Sequence, residues 1–161
     1  MGMMLLTGNE TPQDIICLAY GLEEGLRKFY TAASRLAIES EVSAVLVRLA
    51  EIEVRHKQKL FDLFKLVDSK DTSIESFEKK VTAGLMEGGF DSGSLLEDIG
   101  QNFKTAADVL NFAMMLEAQG MDLYMRYAEK SENAKVREIL FDMADDEKAH
   151  LKSLGNLMEK V

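Results

Sequence analysis

Both histidines of this chain follow a glutamate by three residues, in Glu53-Val54-Arg55-His56 and in Glu147-Lys148-Ala149-His150. Another glutamate stands 30 positions before each, Glu23 ahead of Glu53 and Glu117 ahead of Glu147. Residues three apart share one face of a helix, so each Glu-x-x-His offers a carboxylate and an imidazole to the same point. The two sets are copies. A shift of 94 positions carries Leu22-Glu23 onto Leu116-Glu117, Tyr30 onto Tyr124 and Glu53 onto Glu147. The same shift carries His56 onto His150, and Val42, Leu46, Ala50 and Leu60 onto Val136, Leu140, Ala144 and Leu154. Two hairpins of like sequence are expected to pack with approximate two-fold symmetry and bring equivalent residues to one centre.

The residues around these six make their positions core positions. Ile16, Ala19, Glu23, Leu26, Tyr30 and Ala33 form one helical stripe, and Leu46, Leu49, Glu53, His56, Leu60 and Leu63 a second. Leu110, Ala113, Glu117, Gly120, Tyr124 and Tyr127 form a third, and Leu140, Met143, Glu147, His150, Leu154 and Leu157 a fourth. Four ionised carboxylates in such a core repel one another, and each costs several kcal/mol to desolvate. Two divalent cations balance them. Oxygen-rich ligation with one imidazole per metal suits iron or manganese better than structural zinc or calcium. A single Glu-x-x-His arises by chance; two in register, each with a glutamate at the matching distance, argue for a metal site over solvated charge. Glu24, Glu51, Asp145 and Asp146 fall off the stripes and read as solvated. Met114, Met115, Met121, Met125, Met143 and Cys17 read as packing residues.

Four long helices must position the site. Thr11-Pro12 starts the first, with an N-cap residue before Pro at the first helical position. The second runs from about Glu41, and the breaks at Glu39-Ser40 and Ser131-Glu132-Asn133 are short enough to make each helix pair an antiparallel hairpin. Between the pairs, Asp68–Ser73 interrupts the pattern and Gly84, Gly88, Gly89, Gly93 and Gly100 follow, with short helical pieces predicted near Ile74–Met86 and Leu95–Gly100. The expected fold is all-α, an antiparallel four-helix bundle with one long crossover between helices two and three. A single domain is expected over 1–161, with hairpins at about 11–66 and 104–160 and the crossover at about 67–103.

Composition narrows the function. With 161 residues, 47% of them apolar and 29% charged, the chain is of globular type. Cys17 alone gives neither a disulfide framework nor a Cys-based zinc or Fe–S site. A net charge of −9 argues against nucleic acid as a partner. No apolar run is long enough for a membrane span. Met1–Thr7 is too short for a signal peptide, and Leu6 stands where myristoylation at Gly2 wants Ser or Thr. A cytoplasmic location is expected.

The spacing Leu22-Glu23 to Tyr30 to Glu53-x-x-His56, repeated as Leu116-Glu117 to Tyr124 to Glu147-x-x-His150, resembles the ferritin-like superfamily. It is most similar to the di-iron (erythrin) domain of rubrerythrins. The resemblance implies two irons, with manganese or zinc as substitutes, bridged by Glu53 and Glu147. Glu23 and His56 complete one iron, and Glu117 and His150 the other. Tyr30 and Tyr124 resemble the tyrosines that hydrogen-bond the site carboxylates in that family; read from this sequence alone, they serve equally as core aromatics satisfied elsewhere. Rubrerythrins also carry a four-cysteine rubredoxin domain, which a single Cys does not provide, and a further Glu one turn after the third-helix ligand, where Gly120 stands. The leading expectation is an oxidoreductase that reduces peroxide or dioxygen with electrons from an external donor such as a rubredoxin. The alternatives are iron binding or storage without turnover, and a metal-free helical interaction module. A homodimer is expected.

Overall fold

Thr11 caps the first helix as its sequence requires. Its hydroxyl accepts from the Asp14 backbone N–H at 3.2 Å, and the Asp14 carboxylate accepts from the Thr11 N–H at 2.9 Å. Thr105 and Asp108, their equivalents in the repeat, form the same reciprocal pair at 3.1 and 2.9 Å. The copying therefore extends to the helix starts. The computed structural model describes residues 8–37, 39–68, 70–87 and 103–161, with backbone alone at 82–87. Among these residues there are helices and no strands: α1 (Pro12–Leu36), α2 (Ser40–Val67), α3 (Ile74–Glu87), α4 (Ala106–Lys130) and α5 (Ala134–Met158). Asn133 caps α5 by accepting from the Lys135 and Val136 N–H groups at 2.9 and 3.2 Å.

Side-chain contacts fix the directions of the helices. Gln13 at the start of α1 donates to the carbonyl of Val67 at the end of α2, at 2.8 Å, so these two run antiparallel. Tyr30 reaches Glu117 and Tyr124 reaches Glu23, so α4 runs antiparallel to α1. Lys160 beside Glu41, and Lys59 beside Asp146 at 2.7 Å, set α5 antiparallel to α2. Hence α2 and α4 are parallel. The end of α2 and the start of α4 lie at opposite ends of the bundle, as expected of a ferritin-like bundle with one long crossover.

The expected helical piece near Ile74–Met86 is α3, which packs on α1 and α2. Phe77 is fully buried against the rings of Tyr20, Phe61 and Phe64, with centroids 4.9, 5.3 and 4.6 Å away. Burial of one such ring stabilises the fold by about 1.5–3 kcal/mol. The Tyr20 hydroxyl donates to Glu78 at 2.7 Å and ties α1 to α3. The piece expected at Leu95–Gly100 and the segment Met1–Thr7 lie outside the described residues. No described helix is long and apolar enough to cross a membrane.

Glu24 corrects one expectation. It is not solvated: it is half-buried on α1, accepts from Arg27 at 2.8 Å, and receives Lys57 of α2 at 2.7 Å. Burial opposes the charge, but the hydrogen bonds of Arg27 and Lys57 hold its carboxyl down to about 2. A carboxylate depressed in the folded state stabilises it above the unfolded value, and that gain fades as pH falls towards the folded one. With solvent screening the gain is about 1 kcal/mol. In urea unfolding, Glu24→Gln should therefore be less stable than the parent by about 1 kcal/mol at pH 7, with the gap shrinking between pH 4.5 and 2.

Candidate metal centre

The apolar stripes converge, and every residue assigned to them is buried except Tyr127, which is partly exposed. Glu53, Glu117 and Glu147 are 0% exposed, Glu23 and His56 1%, and His150 5%. Besides tyrosines, these are the buried ionisable side chains among the described residues, and they lie at one level where the hairpins face each other. The His56 and His150 rings stack with centroids 5.4 Å apart and planes 23° apart.

Each histidine turns Nδ1 into the cluster. His56 Nδ1 lies 3.1 Å from Glu53 Oε2, 3.1 Å from Glu147 Oε1 and 3.5 Å from Glu23 Oε2. His150 Nδ1 lies 3.2 Å from Glu147 Oε2, 3.3 Å from Glu117 Oε1 and 3.6 Å from Glu53 Oε1. Glu53 and Glu147 thus each present one oxygen to each histidine, whereas Glu23 serves only His56 and Glu117 only His150. The tyrosines cross over: Tyr30 of the first hairpin donates to Glu117 of the second, and Tyr124 donates to Glu23. Each is fully buried, and each fixes a glutamate on the opposite hairpin.

The protonation pattern is that of crowded charge. Burial and the neighbouring Glu23 push Glu53 well above the usual carboxylate range. Burial and Glu147 push Glu117 up to about 8. Glu147 is held low, against burial, by its neighbours Glu117, His150 and His56. His150 rises to about 9, against burial, through its bonds to Glu117 and Glu147.

Protons alone do not satisfy this cluster. Glu23 Oε2, both oxygens of Glu53, His56 Nδ1 and Glu147 Oε1 are buried with no hydrogen-bond partner. Each such atom costs about 1–3 kcal/mol. Ligand atoms of Glu23, Glu53, His56 and Glu147 nonetheless fall within 4.8 Å of one another, as do those of Glu53, Glu117 and His150. Polar atoms that converge without pairing fit a cation between them. The buried cluster can hold metal.

Asp146 is the residue that helical periodicity misses. It was expected to be solvated, yet its Oδ2 lies 3.3 Å from His56 Nε2 and 2.7 Å from Lys59 Nζ. Although burial opposes it, the Lys59 bond keeps its carboxyl below the ordinary value. An ionised Asp146 only accepts, so His56 carries a proton on Nε2 and its Nδ1 faces the glutamates. That tautomer is the one a metal on Nδ1 requires. Glu51 and Asp145 are exposed, as expected. Of the methionines, Met143 is buried, whereas Met115 and Met125 are 41% and 42% exposed and pack little.

An apolar cavity of about 200 Å³ opens beside the start of α1. Ile16, Ala19, Leu60, Leu63 and Leu140 wall it, with Tyr124 and, among charged residues, Glu10 and Lys130.

The rubrerythrin family model matches residues 108–161. That stretch contains Glu117, Tyr124, Glu147 and His150, so the second hairpin is similar in sequence to the rubrerythrin family. The first hairpin lies outside the match and is tied to it by the 94-position repeat. No curated protein and no solved structure gives a significant match to the chain.

Proposed function

We propose that this protein is a di-iron carboxylate oxidoreductase that reduces peroxide or dioxygen with electrons from an external donor such as a rubredoxin. One observation carries the reading: Glu53 and Glu147 each direct their two oxygens to different histidines, the arrangement of carboxylates shared between two metal positions. Glu23 and His56 complete one position, and Glu117 and His150 the other. The rubrerythrin match makes iron the first choice of metal. When bound, two ferrous ions supply the two electrons that reduce peroxide, with two protons, to two waters.

The chain's own residues supply the rest. Tyr30 and Tyr124 orient the two unshared glutamates by hydrogen bonds from opposite hairpins. The surrounding leucines, alanines and Met143 exclude water and strengthen the interactions inside. Gly120 leaves space beside Glu147: a Cβ built there would meet Glu147 Cγ and Cδ only at 3.9 Å. A rubrerythrin carries its additional Glu at this point; without it, His56 and His150 would each hold a metal together with the four glutamates.

The test is anaerobic ferrous reconstitution, a metal count, and rapid mixing with each oxidant. Two irons per chain are expected, oxidised by both peroxide and dioxygen, with a smaller advantage for peroxide than a complete rubrerythrin shows. Oxidation by peroxide alone would mean that the side chain at position 120 does not set the preference. Iron that binds but reacts with neither oxidant would favour binding or storage without turnover.

A further inference from the structure

The repeat makes the two halves of the cluster equivalent in their ligands but not behind them. His56 Nε2 is anchored by Asp146 at 3.3 Å, and Asp146 is in turn held by Lys59 at 2.7 Å. The 94-position shift pairs Asp146 with Ile52 and Lys59 with Ser153. The mirrored positions behind His150 thus hold neither a carboxylate nor a cation. Ile52 packs instead against the apolar cluster around Leu46 and Leu49. His150 makes its polar contacts through Nδ1, and its Nε2 has no hydrogen-bond partner among the described residues. Its side chain is also more open, 6% exposed against 1% for His56.

A metal-bound imidazole whose second nitrogen donates to a carboxylate is fixed in tautomer and orientation and is a stronger donor to the metal. Loss of such a partner costs roughly 10–100-fold in metal affinity. Each half has one unshared glutamate held by a tyrosine, and both draw on Glu53 and Glu147, although four ligand residues converge on the His56 side and three on the His150 side. We infer that the two metal positions are inequivalent, the one at Glu23 and His56 filling first and releasing last because the Asp146–Lys59 pair anchors His56, and the one at Glu117 and His150 exchanging readily. Asp146 is a positioning residue in this scheme; it acts through His56.

This inference rests on the two-metal reading, and the experiment separates the two. The metal-free protein is titrated anaerobically with Co²⁺, followed by calorimetry and by the visible bands that report cobalt geometry. Two binding steps are expected, their dissociation constants separated by about tenfold or more. His56→Ala should remove the tight step and His150→Ala the weak one. Asp146→Asn should weaken the tight step by roughly 10–100-fold, leave the weak step in place, and alter the spectrum of the first cobalt only. Asp146→Glu should recover part of the loss. Ile52→Asp, which supplies the missing carboxylate behind His150, should tighten the second step; circular dichroism checks that this variant remains helical. Two equal steps, an unchanged tight step in Asp146→Asn, or loss of the tight step in His150→Ala would overturn the inference while leaving two metal positions standing. No cobalt uptake by the parent would overturn the two-metal reading itself.

Discussion

Ferrous loading of the metal-free protein under anaerobic conditions is expected to raise its melting temperature by roughly 15–30 °C. The size follows from mass action. An ion that binds only the folded chain stabilises it by about 4 kcal/mol at a thousandfold excess over its dissociation constant, so two contribute about 8 kcal/mol. In a chain of this length each kcal/mol moves the midpoint by about 2–4 °C. The structural basis is the unpaired set: Glu23 Oε2, Glu53 Oε1 and Oε2, His56 Nδ1 and Glu147 Oε1 all lack partners until a cation lies between them. Scanning calorimetry with iron, with iron plus chelator, and with magnesium decides the point. Magnesium prefers to keep its waters and to bind oxygen alone, so it should shift the midpoint little. A shift below about 5 °C with iron would mean that the cluster does not hold two ions tightly.

Much of this arrangement is legible in the sequence because the helix period and the repeat are local properties of the chain. Glu23, Glu53, His56, Glu117, Glu147 and His150 fall in phase with leucines and alanines, and phase alone puts them in the core. The capping box at Thr11 and the breaks near residues 39 and 131–133 likewise depend on neighbours in sequence. Parallel packing of α2 and α4 follows from the length between two short-looped hairpins, with no contact needed to see it.

What one helix at a time does not show is contact between helices. Asp146 precedes Glu147 by one residue, about 100° around the helix, and so reads as outward. It is outward from the apolar stripe of α5, but α2 passes on that side and brings His56 and Lys59 to it. Glu24 is hidden in the same way by Lys57 of α2. The available signal was the repeat itself: where the halves match so closely, Asp146 opposite Ile52 is a departure. The tyrosines illustrate the reverse case. Their register is plain in the sequence, but the partner of each hydroxyl is on the other hairpin, at a separation of 87 positions for Tyr30 and 101 for Tyr124.

Replacing Glu53 with Leu is expected to have two large effects of opposite sign. Glu53 is 0% exposed, neither of its oxygens has a hydrogen-bond partner, and burial with Glu23 nearby pushes its carboxyl well above the usual range. In the metal-free protein it is therefore a liability. An apolar side chain of similar volume removes that penalty and should stabilise the metal-free fold by about 1–3 kcal/mol in urea unfolding. The same change deletes an oxygen from both metal positions, and iron uptake should fall by at least ~100-fold. Glu147→Leu should lose metal as severely but destabilise the metal-free fold by about 3 kcal/mol, because Glu147 is held low in contact with both histidines and its loss strands them. The exposed Glu51 and Asp145 serve as controls, with alanine variants changing stability by less than about 0.5 kcal/mol and leaving uptake intact. Asp146 cannot serve, since it touches His56. If Glu53→Leu instead destabilised the metal-free protein by several kcal/mol, the Glu53 carboxylate would be a structural partner of His56 rather than a ligand waiting for a cation. The case for a shared metal bridge would then fall with it.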